Sequence, residues 1–85
     1  MKIQVLGSGC ARCKQLYAEA EKAVSASGLD AQLEKIEKIE EIMKFGVMMT
    51  PALVIDGEVK AAGRIPQVPE IVAWLMNAAT RAGVP

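Results

Sequence analysis

The sequence predicts an α/β fold in which three helices flank a four-stranded mixed sheet, in the order β-α-β-α-β-β-α. Two observations predict it: apolar residues recur at strand spacing and at helix spacing in alternating segments, and an Asp-Gly dipeptide in the second half joins two strand patterns directly. A chain of 85 residues fits one domain, residues 1–85. Its core is aliphatic, because the sequence holds only one Trp, one Tyr and one Phe.

The first half opens with a buried strand over residues 2–6 and a flexible turn at residues 7–9. Residues 11–27 predict the first helix, and Gly28 follows as its C-cap. The buried stripe of this helix consists of apolar or small residues at intervals of three and four: Cys13, Leu16, Tyr17, Ala20, Ala23, Val24 and Ser27. The stripe therefore begins at the second of the two cysteines.

A weaker strand pattern over residues 29–36 alternates Ala31 and Leu33 with polar residues. The charge-rich run over residues 35–41 predicts a solvated face. It merges into a short helix over residues 39–45 that stops at Gly46. The apolar face of this helix is predicted to comprise Ile39, Ile42 and Met43.

The second half predicts a β-hairpin and a final helix. Residues 52–55 form a continuous apolar strand, and the turn at residues 56–57 returns the chain as an antiparallel strand over residues 58–62. The last helix starts near Pro69 and runs to Ala82, with Gly83 and Pro85 beyond it. Trp74 is expected in the core or at its edge, whereas Arg64 is either near the active face or an ordinary surface residue.

Composition excludes several classes of partner. Ten basic and ten acidic residues give a net charge of zero, so the protein has no overall electrostatic attraction to nucleic acid or to an anionic membrane. Neither is therefore expected as a partner. No apolar stretch approaches the ~20 residues of a membrane helix, and the apolar segment after Met1 is too short for a signal peptide. These features predict a cytoplasmic protein of monomer size.

The stretch Gly7-Ser8-Gly9-Cys10-Ala11-Arg12-Cys13 carries the chemistry, because it places a Cys-x-x-Cys pair where the first strand gives way to the first helix. A cysteine at a helix N-terminus lies near unpaired N–H groups that favour the thiolate, which is the nucleophile of disulfide exchange. Cys10 is predicted to attack, and Cys13 lies within disulfide reach to resolve the mixed disulfide. Arg12 and Lys14 are predicted to add positive potential.

The chain also resembles a known family. The Cys-x-x-Cys after the first strand and Thr50-Pro51 immediately before the third strand resemble the thioredoxin fold in its smallest form. The run from Gly46 through residues 50–57 to Gly63 is similar to the small thioredoxin-like redox-active disulfide proteins of archaea and bacteria. The resemblance implies a cis peptide bond before Pro51, with the Thr50 backbone beside the sulfurs, where it pairs with an extended substrate.

Departures from larger relatives limit what the resemblance implies. Gly9 stands where larger thioredoxins have Trp, and Ala11-Arg12 stands where they have Gly-Pro. The first strand has no acidic residue to match their buried carboxylate, so a proton acceptor for Cys13 is not identified. The glutaredoxin Cys-Pro-Tyr-Cys loop and paired acidic residues for glutathione are also missing.

The sequence therefore predicts a thiol:disulfide oxidoreductase that needs no metal or organic cofactor. Its substrates are expected to be disulfide-containing proteins, and its reductant a flavin-dependent disulfide reductase or another dithiol protein. Two alternatives stay open: a Cu(I) or Zn(II) carrier with Met48 and Met49 as additional soft ligands, and a non-catalytic binding module. Gly7-x-Gly9 also imitates a dinucleotide fingerprint, but the third glycine is missing.

Overall fold

The structure, a computed structural model, describes residues 1–9 and 11–81, apart from the side chain of Arg81. Cys10, the predicted nucleophile, lies outside the described residues. So does the predicted end of the last helix at Ala82, with Gly83 and Pro85 after it. Within the described parts of the chain, no helix combines the length and apolar character needed to cross a bilayer.

The elements follow the predicted order. They are β1 (Lys2–Leu6), α1 (Ala11–Ser27), β2 (Gln32–Ile36), α2 (Ile39–Met43), β3 (Ala52–Ile55), β4 (Glu58–Ala62) and α3 (Val68–Arg81). The predicted bounds of β1, α1, β3 and β4 are confirmed. The order differs from the ferredoxin-like arrangement, strand, helix, strand, strand, helix, strand, that a metal-carrier domain would have.

The four strands form one mixed sheet in the order β2-β1-β3-β4. β1 pairs in parallel with β2 and antiparallel with β3, and β4 pairs antiparallel with β3. The hairpin between β3 and β4 turns at Asp56 and Gly57, whose φ values of 49° and 82° suit a two-residue turn. The predicted α/β fold with a four-stranded mixed sheet is thus confirmed.

The alternation of side chains along the strands separates two apolar layers. Ile3, Val5, Leu53 and Ile55 point to one face, where α1 and α3 cover them. The residues that these two helices bury there are Leu16, Ala20, Ala23, Ile71, Leu75 and Ala78. The opposite face is smaller and contains Leu6, Ala52, Val54 and Ile42, the last contributed by α2.

The predicted apolar face of α2 is wrong in two of its three residues. Only Ile42 is buried, whereas Ile39 and Met43 are 64% and 68% exposed. The helix ends at Met43, earlier than predicted, and a turn follows it. Phe45 and Val47, after the helix, pack against the same cluster as Ile42. This short helix therefore buries a single side chain.

β2 starts later than the predicted residue 29. Its first residue, Gln32, pairs with Lys2, the first residue of β1, so the residues before Gln32 have no strand opposite them. Leu29 and Ala31 still pack against the main core as partly buried side chains. Their apolar character therefore reflects packing before the strand and not strand pairing.

Arg64 and Trp74 belong to a surface network on α3. The Arg64 guanidinium donates to both carboxylate oxygens of Glu70, at 3.1 and 2.7 Å. It also lies 5.8 Å from the centre of the Trp74 ring, which is half-buried at the edge of the core. The core-edge position predicted for Trp74 is confirmed, and the Arg64 side chain is directed to α3.

This ion pair predicts a pH-dependent contribution to stability. The hydrogen bond from Arg64 lowers the pKa of Glu70. The ion pair therefore stabilises the folded protein fully above the pKa of a glutamate in the unfolded chain, ~4.3. This stabilisation is lost as the pH falls through the lower pKa that Glu70 has in the folded protein. We expect NMR titration to show a lowered pKa for Glu70 and a return to the ordinary range in an Arg64→Gln variant. A Glu70 titration that the substitution leaves unchanged would contradict this assignment.

Candidate active site

Cys13 lies in the first turn of α1 and begins its buried stripe. Its side chain is 6% exposed, and Leu16, Ala20 and Ala23 continue the stripe into the core. The first residue of α1 is Ala11, which directly follows Cys10 in the sequence. The core contacts of α1 therefore hold the Cys13 thiol at the N-terminal end of the helix.

Gly7, just after β1, leaves the space that the Cys13 thiol occupies. A methyl group on Gly7 would lie 2.3 Å from Sγ of Cys13, which is far inside contact distance. The same methyl position is 3.9 Å from Cα of Pro51. The N–H of Gly7 also donates to the carbonyl of Ile36 at 3.0 Å, which fixes the loop to the end of β2. Gly7 thus lies next to both the sulfur of Cys13 and the backbone of Pro51.

The Thr50–Pro51 peptide bond is cis, the isomer that the family resemblance implies. Pro51 is buried and Thr50 is exposed. The carbonyl of Pro51 accepts the N–H of Gly63 at 2.9 Å, so the loop after β4 is held against this segment. The carbonyl of Gly63 in turn accepts a hydrogen bond from the Arg12 guanidinium at 3.3 Å. The start of α1, the cis-proline loop and the loop after β4 therefore meet at one surface.

Two methionines precede the cis-proline segment, and they differ in their contacts. Met48 is 97% exposed. Met49 is 62% exposed and lies against Gly63. A methyl group added to Gly63 would be 3.0 to 3.2 Å from three side-chain atoms of Met49. Gly63 also has a φ of +77°, which favours glycine for a second reason. Met49 therefore forms an exposed apolar rim beside Thr50 and Pro51.

A family model described as a thioredoxin domain matches residues 1–76. The chain belongs to the thioredoxin family. A thioredoxin of Methanothermobacter thermautotrophicus is 44% identical over 71 residues, which cover 84% of this chain and 92% of that protein. A thioredoxin of Methanocaldococcus jannaschii is 38% identical over 69 residues, 81% of this chain and 79% of that protein. The resemblance inferred from the two sequence motifs is confirmed, and the protein is thioredoxin-like.

A small pocket lies beside Cys13 in this thioredoxin fold. It has a volume of about 40 Å³ and is lined by Val5 and by Gly7, Gly9, Cys13, Lys14, Lys35 and Glu37. A methyl group on Gly9 would lie 3.2 Å from Oε2 of Glu37, so this carboxylate lies beside the loop that leads to Cys10. The Lys35 ammonium lies 4.7 Å from the centre of the Tyr17 ring. The residues that line this pocket therefore include the buried Cys13 and three exposed charged residues, Lys14, Lys35 and Glu37.

The predicted site residues fall into two groups around Cys13. Arg12 reaches the cis-proline side through Gly63, whereas Lys14 lines the pocket. The pKa-tuning roles predicted for both stay predictions. Lys35 and Glu37 were missed, because they belong to a charged run that was assigned only to a solvated face. The parallel pairing of β1 and β2 is the signal that could have found Glu37, since residues after parallel strands meet at one edge of a sheet.

Proposed function

We propose that this thioredoxin-family protein is a thiol:disulfide oxidoreductase that uses Cys10 and Cys13. The Cys10 thiolate attacks one sulfur of a substrate disulfide, a mixed disulfide forms, and one substrate thiolate leaves. The Cys13 thiolate then attacks the sulfur of Cys10, and the second substrate thiolate leaves. Two electrons pass to the substrate, and the protein is left with a Cys10–Cys13 disulfide.

The nearness of Gly7 to both the Cys13 sulfur and Pro51 supports this proposal most strongly. A resolving cysteine is protected from external disulfides when it is buried, and Cys13 is 6% exposed. Cys10 precedes the first residue of a 17-residue helix, so the dipole of α1 favours a thiolate there. We infer different roles for the two cysteines from the burial of Cys13 and from the place of Cys10 in the sequence, directly before the first residue of α1.

The surface beside Cys13 suits an extended protein substrate. Thr50 is exposed next to the buried Pro51, and we infer that its backbone pairs with a substrate strand. Met49 adds apolar surface at the same edge. Arg12 holds the carbonyl of Gly63 and thereby the loop that supports Met49. We infer that the backbone provides affinity for many substrates and that Met49 favours apolar side chains.

The direction of exchange follows from the compartment. We place the protein in the cytoplasm, where glutathione and thioredoxin systems keep thiols reduced, so it reduces substrate disulfides. It acts as a monomer without a metal or organic cofactor, and a flavin-dependent disulfide reductase or another dithiol protein returns it to the dithiol form. We infer these electron donors from the proposed dithiol–disulfide exchange.

Turnover on a protein disulfide tests the function directly. With dithiothreitol as electron donor, we expect catalytic amounts of the protein to accelerate reduction of the interchain disulfides of insulin. A variant with both cysteines replaced by serine is the control and is expected to give only the rate of dithiothreitol alone. Absence of acceleration by the native protein, together with one bound equivalent of Cu(I) or Zn(II) per reduced chain, would instead support metal carriage.

The apolar rim predicts a selective defect in a Met49→Gln variant. Loss of about 1 kcal/mol of apolar contact with a protein substrate corresponds to about a fivefold lower kcat/KM. Reduction of a small disulfide, which does not reach the rim, is expected to stay unchanged. Met48→Gln is the matched control, since Met48 is 97% exposed and adjacent in sequence. Equal effects of the two substitutions would contradict a role for Met49 in substrate binding.

A further inference from the structure

The apolar rim beside the cis-proline segment contains an oxidisable sulfur. Met49 is 62% exposed, and it directly precedes Thr50, the residue whose backbone we infer to pair with a substrate. The thioether of a methionine takes up one oxygen atom to become a sulfoxide, which is polar. An oxidant in solution therefore has access to a side chain that the proposed substrate contacts.

Gly63 holds the Met49 side chain in place. A methyl group on Gly63 would lie 3.0 Å from Cε, 3.1 Å from Cβ and 3.2 Å from Sδ of Met49, so this side chain packs along its length over Gly63. Gly63 is itself held, because its N–H donates to the carbonyl of Pro51 at 2.9 Å. Since Gly63 covers one side of the thioether, an oxidant reaches the sulfur from the solvent side. A substrate would meet that same side.

The other four methionines of the sequence have different surroundings. Met48 is 97% exposed, so a sulfoxide there would stay in solvent. Met43 is the last residue of α2, and Met76 belongs to α3. Met1 is partly buried against the main core. Met49 is therefore the methionine whose oxidation would change the apolar rim.

We propose that Met49 is a site of reversible oxidation by hydroperoxides, and that its sulfoxide lowers the reduction of protein disulfides without changing the chemistry of Cys10 and Cys13. The effect on substrates rests on the proposed exchange function. A lone pair of Sδ attacks one oxygen of hydrogen peroxide, the O–O bond breaks, and an S–O bond forms. The hydroxide that leaves takes the proton of the transferred oxygen and becomes water. The sulfur is thus oxidised by two electrons, and a methionine sulfoxide reductase returns them.

A sulfoxide changes what the apolar rim binds. Its oxygen accepts hydrogen bonds from water, and an apolar side chain that covers it removes those bonds without replacing them. The thioether of Met49 carries no such cost. We expect kcat/KM for a protein disulfide to fall about fivefold, the effect also expected of Met49→Gln. Reduction of a small disulfide, which does not reach the rim, is expected to stay unchanged.

The test oxidises the methionines while the cysteines are protected. The protein is converted to its Cys10–Cys13 disulfide, treated with hydrogen peroxide and freed of the oxidant, and dithiothreitol then restores the thiols. Fragmentation of the peptides by mass spectrometry measures the sulfoxide at Met49 and at Met48 separately. We expect kcat/KM for insulin to be about fivefold lower after treatment. It is expected to recover after incubation with the two methionine sulfoxide reductases, one for each epimer.

Two leucine variants locate the effect. A leucine is apolar and forms no sulfoxide, so Met49→Leu is expected to have the same kcat/KM before and after peroxide. Met48→Leu is the matched control, and peroxide is expected to lower its kcat/KM as much as that of the native protein. The quantity compared is the ratio of kcat/KM after treatment to kcat/KM before it. A different starting activity of either variant therefore does not affect the comparison.

The role of Met49 would be overturned by peroxide that oxidises Met48 and leaves Met49 intact, or by an unchanged insulin rate after full oxidation of Met49. An equal loss in Met49→Leu, or an equal loss with a small disulfide, would overturn it as well, because the damage would then lie elsewhere. An untreated protein that forms no Cys10–Cys13 disulfide, or that does not reduce insulin, would instead refute the exchange function. The two failures are distinguishable, because mass spectrometry measures the sulfoxide independently of activity.

Discussion

A Cys10→Ser variant is expected to lose disulfide reduction completely, with the rate falling to that of the dithiol donor alone. A serine hydroxyl is not ionised near neutral pH and is a far weaker nucleophile toward a disulfide sulfur than a thiolate. The sequence has one further cysteine, Cys13. Its side chain is only 6% exposed, so it is not accessible enough to attack a substrate in place of Cys10. Insulin reduction followed by turbidity measures the loss.

The companion Cys13→Ser variant separates attack from resolution. When no dithiol donor is present, Cys10 is then expected to attack one substrate disulfide and to stay linked to the substrate, so a mixed disulfide accumulates. Intact mass spectrometry detects that species, and reductant releases it. The assignment of roles would be contradicted if Cys13→Ser formed no mixed disulfide without reductant, or if the stable adduct formed on Cys13 in the Cys10→Ser variant.

Gly7→Ala is expected to lower the free energy of unfolding of the reduced protein by about 1 to 3 kcal/mol, the usual cost of overpacking. The added methyl group would lie 2.3 Å from Sγ of Cys13, so the sulfur or the loop must move. Gly7 does not have a positive φ, and backbone strain therefore adds nothing. At such a position alanine otherwise stabilises a protein by about 0.4 to 1 kcal/mol through the unfolded chain.

A double-mutant cycle isolates the contact between Gly7 and the sulfur. In a Cys13→Ala background the atom at 2.3 Å is absent, and the nearest remaining contact is Cβ of residue 13 at 3.2 Å. We expect Gly7→Ala to be close to neutral there in urea denaturation, which leaves a coupling of about 1 to 3 kcal/mol. An equal cost in both backgrounds would show that the destabilisation does not arise from the Cys13 thiol.

Elements governed by a simple period could be predicted from the sequence. The alternation in β1, the apolar run of β3 and the Asp56-Gly57 turn depend on neighbours within a few residues, so their bounds were correct. α1 was correct for the same reason, since its stripe spans several turns. Tertiary context decided the rest. β2 begins where β1 offers a partner, and Ile42 of α2 shares its small apolar cluster with Phe45 and Val47 from the segment after the helix.

The candidate site was predictable to a smaller extent. Cys13 and Pro51 could be named because each belongs to a short motif, and the structure brings them together through Gly7. Lys35 and Glu37 could not be named, because a run of alternating charges carries no periodic signal for the residues that line a pocket. Parallel pairing of β1 with β2 places them next to the end of β1, and the sequence indicates that pairing only through the order of its elements.

The reduction potential of the Cys10/Cys13 pair tests the central claim most directly. The protein is equilibrated with defined dithiol buffers, its thiols are alkylated, and the reduced and oxidised forms are quantified by mass. We predict a fully reversible two-electron transition at about −180 to −290 mV, within the range of thiol redox proteins. A pair that forms no reversible disulfide in this window would contradict the oxidoreductase function, whatever the fold around it.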